Sequence, residues 1–248
     1  MIEMVAPVVL VGLIGLCLGS FATTAALRLC RFDQVVLGRS HCDHCAVTLS
    51  YSQTVPVLSY LRQVGACGAC GGAIDPLHPV GEVLGATVVV AAYLTAPAPR
   101  AVLISGLGLV LLASSVVDAK TRRLPDRLTL VVAILALALD AITSLTALAG
   151  GLIAAVLVFV IFEAVRRGYL RLRGRPGMGF GDVKLAAALA LWLGLATPWA
   201  IMLAAGLGLI AMIILRPADG RLAFGPSLAA AGWLVGLMGE AHRWPALI

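Results

Sequence analysis

The chain has 248 residues, of which 61% are hydrophobic and 12% charged, and its mean hydropathy is +1.03. Water would not keep such a chain soluble as a monomer, so the composition excludes a soluble protein and is typical of a polytopic membrane protein. The formal net charge of +6 indicates no nucleic-acid partner, because membrane topology accounts for it.

Apolar stretches predict about eight transmembrane helices, each long enough to cross roughly 30 Å of hydrocarbon. They lie at about 5–27, 80–96, 101–117, 127–145, 147–165, 183–197, 199–215 and 223–240. We therefore predict an all-α polytopic membrane protein in three parts. Residues 1–27 form a first transmembrane helix, 28–79 a small loop domain, and 80–248 the main transmembrane domain.

The basic residues predict the orientation. Sixteen of the eighteen Lys and Arg lie in the loops at 28–79, 118–127, 166–184 and 216–222. By the positive-inside rule these loops are cytoplasmic, so both termini face outward. The first apolar run has no basic segment before it, which favours a retained helix over a secretion signal.

Two cysteine pairs mark the loop domain, Cys42-x2-Cys45 and Cys67-x2-Cys70. Paired knuckles of this kind hold one tetrahedral Zn²⁺ through four thiolates. The loop has few apolar residues, so bound metal would supply much of its folding free energy. The alternative is two disulfides, which would need an oxidising compartment. We therefore predict a zinc-ribbon-like domain.

Two aspartates lie where apolar runs meet short basic loops. Asp118 follows the third predicted helix, and Asp182 opens the sixth within Gly177-Met178-Gly179-Phe180-Gly181-Asp182-Val183-Lys184. An acid at a membrane edge is costly to keep, so the pair suggests a functional site. If the two lie close together, one carboxyl group keeps a proton while the other activates water, which indicates an intramembrane aspartyl protease.

A simpler interpretation of each aspartate is helix capping or pairing with a loop cation. Asp182 suits an N-cap or first-turn position, and Asp118 has Lys120 and Arg122 nearby in sequence. Glu163 is expected to pair with Arg167 one turn later.

Neighbouring residues carry supporting predictions. Gly179 and Gly181 are expected to allow positive φ and to let a substrate backbone approach Asp182. Lys184 would either bind a substrate carbonyl or mark the lipid boundary. Asp126 follows Pro125 and is predicted as a helix N-cap, with substrate steering as the alternative.

Seven motifs, in this order along the chain, carry a family resemblance. They are Gly19-Ser20-Phe21, Arg39-Ser40-x-Cys42-x-x-Cys45, Pro56-x-x-Ser59-Tyr60, Cys67-x-x-Cys70, Pro79-x-x-Glu82, Asp118 followed by Leu124-Pro125-Asp126, and Gly179-Phe180-Gly181-Asp182-Val183-Lys184-Leu185. From about residue 12 to about residue 240 the sequence resembles the type IV prepilin leader peptidases, also called prepilin peptidase/N-methyltransferases.

The resemblance implies a Gly-x-Gly-Asp aspartyl protease of the bacterial cytoplasmic membrane, with Asp118 and Asp182 as its catalytic pair. Its substrates would be type IV prepilins and pseudopilins, cut after a glycine behind their basic leader. The new N-terminal amine would then be methylated from S-adenosylmethionine, and Glu82 is a candidate to recognise that amine. No Gly-x-Gly-x-x-Gly follows a predicted strand, so the cofactor would bind in 28–79 and its junction with the helices.

Other functions remain open at this point. A single-function peptidase for competence pseudopilins would cleave without methylating. A non-catalytic zinc-ribbon adaptor would tolerate alanine at both aspartates. A transporter would more usually place its acids near the midplane and show an internal repeat, and neither is found. The sequence does not indicate the oligomeric state or the particular pilin.

Overall fold

The computed structural model describes residues 2–31, 39–174, 177–217 and 222–243. Within these ranges the chain is helical and contains no β-strand. Eight long helices confirm the predicted all-α class: α1 (Ile2–Arg31), α3 (Leu77–Thr95), α4 (Ala98–Thr121), α5 (Asp126–Ala141), α6 (Leu145–Arg173), α7 (Phe180–Leu193), α8 (Thr197–Leu215) and α9 (Gly225–Arg243). One short helix, α2 (Leu58–Arg62), precedes α3.

Five segments in the described part are long and apolar enough to cross a membrane. They are Val5–Arg31, Leu77–Thr95, Ala98–Thr121, Leu145–Arg173 and the combined Phe180–Leu215. The last segment contains both α7 and α8, and α5 is 16 residues long. The chain is thus an integral membrane protein with eight long helices, five of its segments being candidate spans by length and composition.

The chain divides into two compact units, Met1–Ala91 and Ala92–Ile248. In the first unit, α1 packs closely on α3 through glycines. A methyl group built on Gly19 would lie 2.9 Å from the Cα atom of Gly85, so larger residues would force the helix backbones apart.

The second unit is a bundle with α7 at its centre. Helix α7 packs against α5, α6 and α9, while α4 packs against α5 and α9. The part of α7 from Leu185 to Leu193 is buried on nearly every side, as expected for a helix enclosed by neighbours. Both α4 and α7 therefore rest on the same two helices, α5 and α9.

A buried ionic cluster ties one end of this bundle together. Arg100 is 5% exposed and Glu240 is 2% exposed, and the Arg100 Nε donates to Glu240 Oε2 at 2.8 Å. Trp192 Nε1 donates to Glu240 Oε1 at 3.3 Å. Arg100 also donates to the Leu139 carbonyl at 3.1 Å and to Thr143 Oγ1. The predicted helices at 80–96 and 101–117 leave Arg100 in the loop between them, whereas α4 begins at Ala98 and carries Arg100 into the bundle.

Candidate active site

Asp118 lies inside the last turn of α4, because the helix continues to Thr121. Its side chain is buried at 5% exposure. Its Oδ2 accepts a hydrogen bond from the Gly225 N–H at 2.9 Å. A methyl group built on Gly225 would lie 2.6 Å from Oδ2, so only glycine lets the start of α9 approach so closely. Among the described residues, no Lys or Arg forms an ion pair with Asp118, so loop cations do not account for it.

Asp182 is the third residue of α7, whose N-cap is Gly179. Its carboxylate accepts a hydrogen bond from the Gly179 N–H. The expected first-turn position is therefore confirmed. The prediction of positive φ at Gly179 and Gly181 is wrong. Gly179 has φ −68° and ψ 145°, and neither glycine adopts the left-handed backbone conformation.

The two glycines instead permit close approach. A methyl group built on Gly181 would lie 2.9 Å from Leu124 Cβ, and one on Gly179 would lie 3.1 Å from Asp182 Oδ2. The absence of a side chain at 181 thus lets the start of α7 rest on the loop between α4 and α5. Asp182 follows Gly181 directly and therefore borders this contact.

An ion pair crosses the same contact, since Lys184 donates to Asp126 Oδ1. The juxtaposition brings Asp118 and Asp182 close enough for the charge on Asp118 to act on the Asp182 carboxyl group. Within the described ranges, neither acid has a cationic partner. The bundle therefore places the two carboxyl groups within electrostatic range of each other.

Asp126 is the first residue of α5, and Pro125 is the N-cap. The prediction that Asp126 is the N-cap is therefore wrong by one residue, because Pro125 takes the extended conformation with φ −66° and ψ 132°. A carboxylate at the first helical position still interacts favourably with the positive end of the helix dipole. The Asp126 side chain is 77% exposed, so it can meet other charged groups.

Two cations lie near the ring of Phe180, the residue between the two glycines. The Arg166 guanidinium lies 5.2 Å from the ring centroid and Lys184 Nζ lies 4.9 Å from it, distances at which cations attract an aromatic face. The Phe159 ring approaches edge-on at 6.2 Å. Gly179 and Gly181 have no side chain to pack, so Phe180 anchors the turn that leads into Asp182.

Glu163 holds Arg166 in place from one turn away on α6. It is buried and accepts from Arg166 Nε at 2.7 Å and from Arg167 Nε at 2.6 Å. The predicted Glu163–Arg167 pair is confirmed. Sequence reasoning missed Arg166 as the stronger partner and missed Phe180 altogether; the aromatic residue between two glycines was the available signal.

The four paired cysteines converge in the first unit. All four sulfur atoms lie within 4.8 Å of one another, and Cys42 Sγ is 3.8 Å from Cys70 Sγ. All are free thiols, which argues against the disulfide alternative. Zn–S bonds of about 2.3 Å in a tetrahedron require sulfurs roughly 3.8 Å apart. The residues therefore fit a possible metal site.

Backbone geometry supports this cluster. The His44 N–H approaches Cys42 Sγ at 3.4 Å, and the Gly72 N–H approaches Cys70 Sγ at 3.4 Å. Hydrogen bonds from the backbone amides of Ala69 and Cys70 lower the pKa of Cys67 to about 6. A thiol that ionises easily is suited to metal binding.

Glu82 lines a cleft in the same unit. The cleft is formed by the end of α1, the start of α3, the cysteine loops and the region of α2. It contains about 1120 Å³ of space, including its open mouth. Two groups donate to Glu82, namely Ser20 Oγ to Oε1 at 2.8 Å and the Val57 N–H to Oε2 at 2.6 Å. The predicted site residues thus form two groups: Asp118, Asp126, Gly179, Gly181, Asp182 and Lys184 in the second unit, and Glu82 with the four cysteines in the first.

Two sequence families match the chain. Residues 13–96 match the family described as the Bacterial Peptidase A24 N-terminal domain. Residues 105–215 match the Type IV leader peptidase family. The second match includes both aspartates, and the first includes the four cysteines and Glu82.

Relatives from several bacteria are similar to most of this chain. A prepilin leader peptidase/N-methyltransferase of Aeromonas hydrophila is 33% identical over 218 residues, 85% of this chain and 75% of the relative. One from Neisseria gonorrhoeae is 34% identical over 200 residues, 79% of this chain and 70% of the relative. One from Dichelobacter nodosus is 35% identical over 217 residues, which are 84% of this chain and 74% of the relative. No solved structure matches the chain.

Proposed function

Because the chain belongs to the type IV leader peptidase family and is an enzyme of the prepilin peptidase class, we propose that it is an aspartic endopeptidase of the bacterial inner membrane. It removes the basic leader from type IV prepilins and pseudopilins after a glycine, at the cytoplasmic face. The observation that carries this proposal is the neighbouring pair Asp118 and Asp182, which the bundle keeps without a cation among the described residues.

The chemistry follows from that pair. One carboxyl group holds a proton, and the ionised partner draws a proton from water, which attacks the peptide carbonyl. The protonated group supports the carbonyl oxygen and then donates to the leaving amine. The Gly225 N–H fixes Asp118 and the Gly179 N–H fixes Asp182. Gly179 and Gly181 present no side chain that would block a substrate backbone.

The membrane edge suits this substrate. A basic leader stays in the cytoplasm by the positive-inside rule while the first apolar helix of the substrate occupies the bilayer. The bond between them then lies at the depth of the two acids. The Asp126 side chain is exposed and pairs with Lys184. In this proposal Asp126 attracts the basic leader and Lys184 binds a substrate carbonyl.

We also propose that Cys42, Cys45, Cys67 and Cys70 hold one structural Zn²⁺. Elemental analysis of the purified protein should give about one zinc per chain. The Cys42→Ser variant should lose the metal, while the control variant Cys17→Ser should keep it because Cys17 lies in α1 outside the cluster. Equal zinc content in both variants would contradict the proposal.

N-methylation is the second activity that the relatives' names suggest, and we assign it to the first unit. The cleft around Glu82 is lined by polar and charged side chains from the ends of α1 and α3 and from the cysteine loops. S-adenosylmethionine bound there would supply the methyl group for the new N-terminal amine.

Leader removal from a co-expressed model prepilin, followed by mass spectrometry, tests both activities. Asp118→Ala and Asp182→Ala should each abolish cleavage at normal membrane levels. Cleavage that survives either change would contradict the two-carboxylate mechanism. A mass increase of about 14 Da on the new N-terminus reports methylation, whereas cleavage without it would identify a peptidase-only enzyme, such as one for competence pseudopilins.

A further inference from the structure

Glu82 is a buried carboxylate to which no cation among the described residues is paired. Its side chain is 7% exposed, and its described partners are the neutral donors Ser20 Oγ and the Val57 N–H. No Lys, Arg or His among the described residues pairs with it, and residues 32–38 of the same unit contain none of these types. Burying an unpaired charge is costly, so its retention requires a reason.

The backbone that Glu82 holds is strained. Val57 has φ 60° and ψ −50°, and the Leu58 N–H bonds to the Pro56 carbonyl at 2.6 Å. This is a γ-turn of the rare left-handed kind. A β-branched residue at positive φ is an outlier, and such strain persists where surrounding structure enforces it. The bond from the Val57 N–H to Glu82 supplies that restraint.

The carboxylate has capacity for a further partner. An ionised carboxylate offers about four lone-pair sites, and two donors occupy Glu82. Asp43, another acid of the cleft, is already paired with a cation, because Arg31 Nη2 donates to Asp43 Oδ2 at 2.8 Å and this guanidinium lowers the pKa of Asp43. Glu82 therefore lies on the cleft wall, where two hydrogen bonds fix its carboxyl group and leave lone pairs for a cation.

We propose that Glu82 is the receptor for a primary ammonium group, the free N-terminal amine of the processed substrate. An ammonium carries three donors and one positive charge, so it satisfies the vacant lone pairs and compensates the buried charge at once. The assignment rests on the proposed methylation of that amine. It identifies the cleft of the first unit as the place where the amine waits for the methyl donor.

A purely structural role for Glu82 makes a different prediction. If the carboxylate only restrains the γ-turn, its loss distorts the cleft and weakens every ligand equally. The Val57→Gly variant separates the two roles, because glycine adopts positive φ without strain. In this variant the turn no longer depends on Glu82, while the ammonium receptor is intact.

The test measures binding to the full-length enzyme in lipid nanodiscs. The probes are an apolar peptide with a free N-terminal amine and the same peptide N-acetylated. The wild-type protein and Val57→Gly should bind the free amine about ten- to a hundredfold more tightly, the range expected for a charge-assisted hydrogen bond to a buried carboxylate. Glu82→Gln, alone and combined with Val57→Gly, should lose this preference.

Asp43→Asn is the matched control, since Asp43 lines the same cleft but is already paired with Arg31. It should keep the preference for the free amine. The proposal is overturned if the Glu82→Gln variant still binds the free-amine peptide more tightly than the acetylated peptide. It is also overturned if adding Glu82→Gln to Val57→Gly weakens the binding of both peptides by the same factor. Binding needs no methyl transfer, so an enzyme that cleaves but does not methylate would still show the preference; its absence in the wild-type protein would also overturn the proposal.

Discussion

The two ends of the second unit treat buried charge in opposite ways. At one end, Arg100 lies against Glu240 and is also held by the Leu139 carbonyl and Thr143. At the other end, Asp118 and Asp182 are neighbours and receive only backbone N–H donors from the described residues. Eighteen residues of α4 separate Arg100 from Asp118, which is about 27 Å along the helix axis.

The Arg100 end shows that this bundle can pair a buried charge with an opposite charge. Breaking a buried ion pair leaves an expensive orphan charge, so the Arg100 end is suited to holding helix ends together. The aspartate end does the reverse, because it brings two carboxyl groups within electrostatic range and, among the described residues, gives neither of them a cation. That arrangement costs stability and is useful for chemistry that needs one protonated and one ionised carboxyl group.

The largest expected effect on stability comes from breaking the compensated end. Arg100→Met should lower the free energy of unfolding by about 3–5 kcal/mol, because Glu240 is left buried without its main partner. Thermal denaturation of the enzyme in detergent or nanodiscs measures this as a lower midpoint.

The double variant Arg100→Met/Glu240→Met serves as the control. Replacing both charges by apolar groups leaves no orphan charge, so its midpoint should lie well above that of Arg100→Met. If the double variant loses as much thermal stability as Arg100→Met, or more, then Arg100 and Glu240 do not act as a compensated pair. The contrast between the two ends would then fail.

A smaller effect is expected at Phe180, which anchors the turn before Asp182. Phe180→Ala should reduce kcat for leader removal by about a hundredfold, because a displacement near 1 Å of a catalytic group has that consequence. Phe180→Trp keeps an aromatic face for Arg166 and Lys184 and should keep most of the activity. A change in KM alone, with kcat unaffected, would show that Phe180 contacts substrate and does not position Asp182.

The smallest effect is expected for the exposed pair Lys184 and Asp126. Lys184→Gln should change the free energy of unfolding by about 1 kcal/mol or less, as is usual for exposed ion pairs. Asp126→Asn should raise KM for a substrate with a basic leader, and added salt should reduce the difference from wild type because it screens exposed charges. A KM that is unchanged at low salt would remove Asp126 from the substrate contacts.

The sequence predicted the parts of this site that local patterns encode. Apolar runs gave the eight long helices, and the Gly-x-Gly-Asp sequence and the cysteine pairs marked the residues that cluster. It could not reveal the partner of Arg100, because Glu240 is 140 positions away and helix rotation decides which side chains meet. The same limit applies to Gly225, whose contact with Asp118 spans 107 positions.

Two local errors have local causes. Pro125 takes the cap position that Asp126 was expected to fill, because its extended backbone precedes the helix directly. Gly179 and Gly181 permit close packing and do not adopt a left-handed backbone conformation. A glycine in a sequence is compatible with either role, so the sequence alone does not distinguish them. The strained turn at Val57 was equally invisible, because valine is an unusual residue for positive φ.

The most direct test of the central claim is to measure cleavage and thermal midpoint together for Asp118→Asn and Asp182→Asn. Asparagine keeps the size and a hydrogen-bond acceptor while removing the like charge. Leader removal should fall by at least about a thousandfold in each variant, while the midpoint stays the same or rises. Persistent cleavage in either variant, or a loss of stability as large as that of Arg100→Met, would contradict the account.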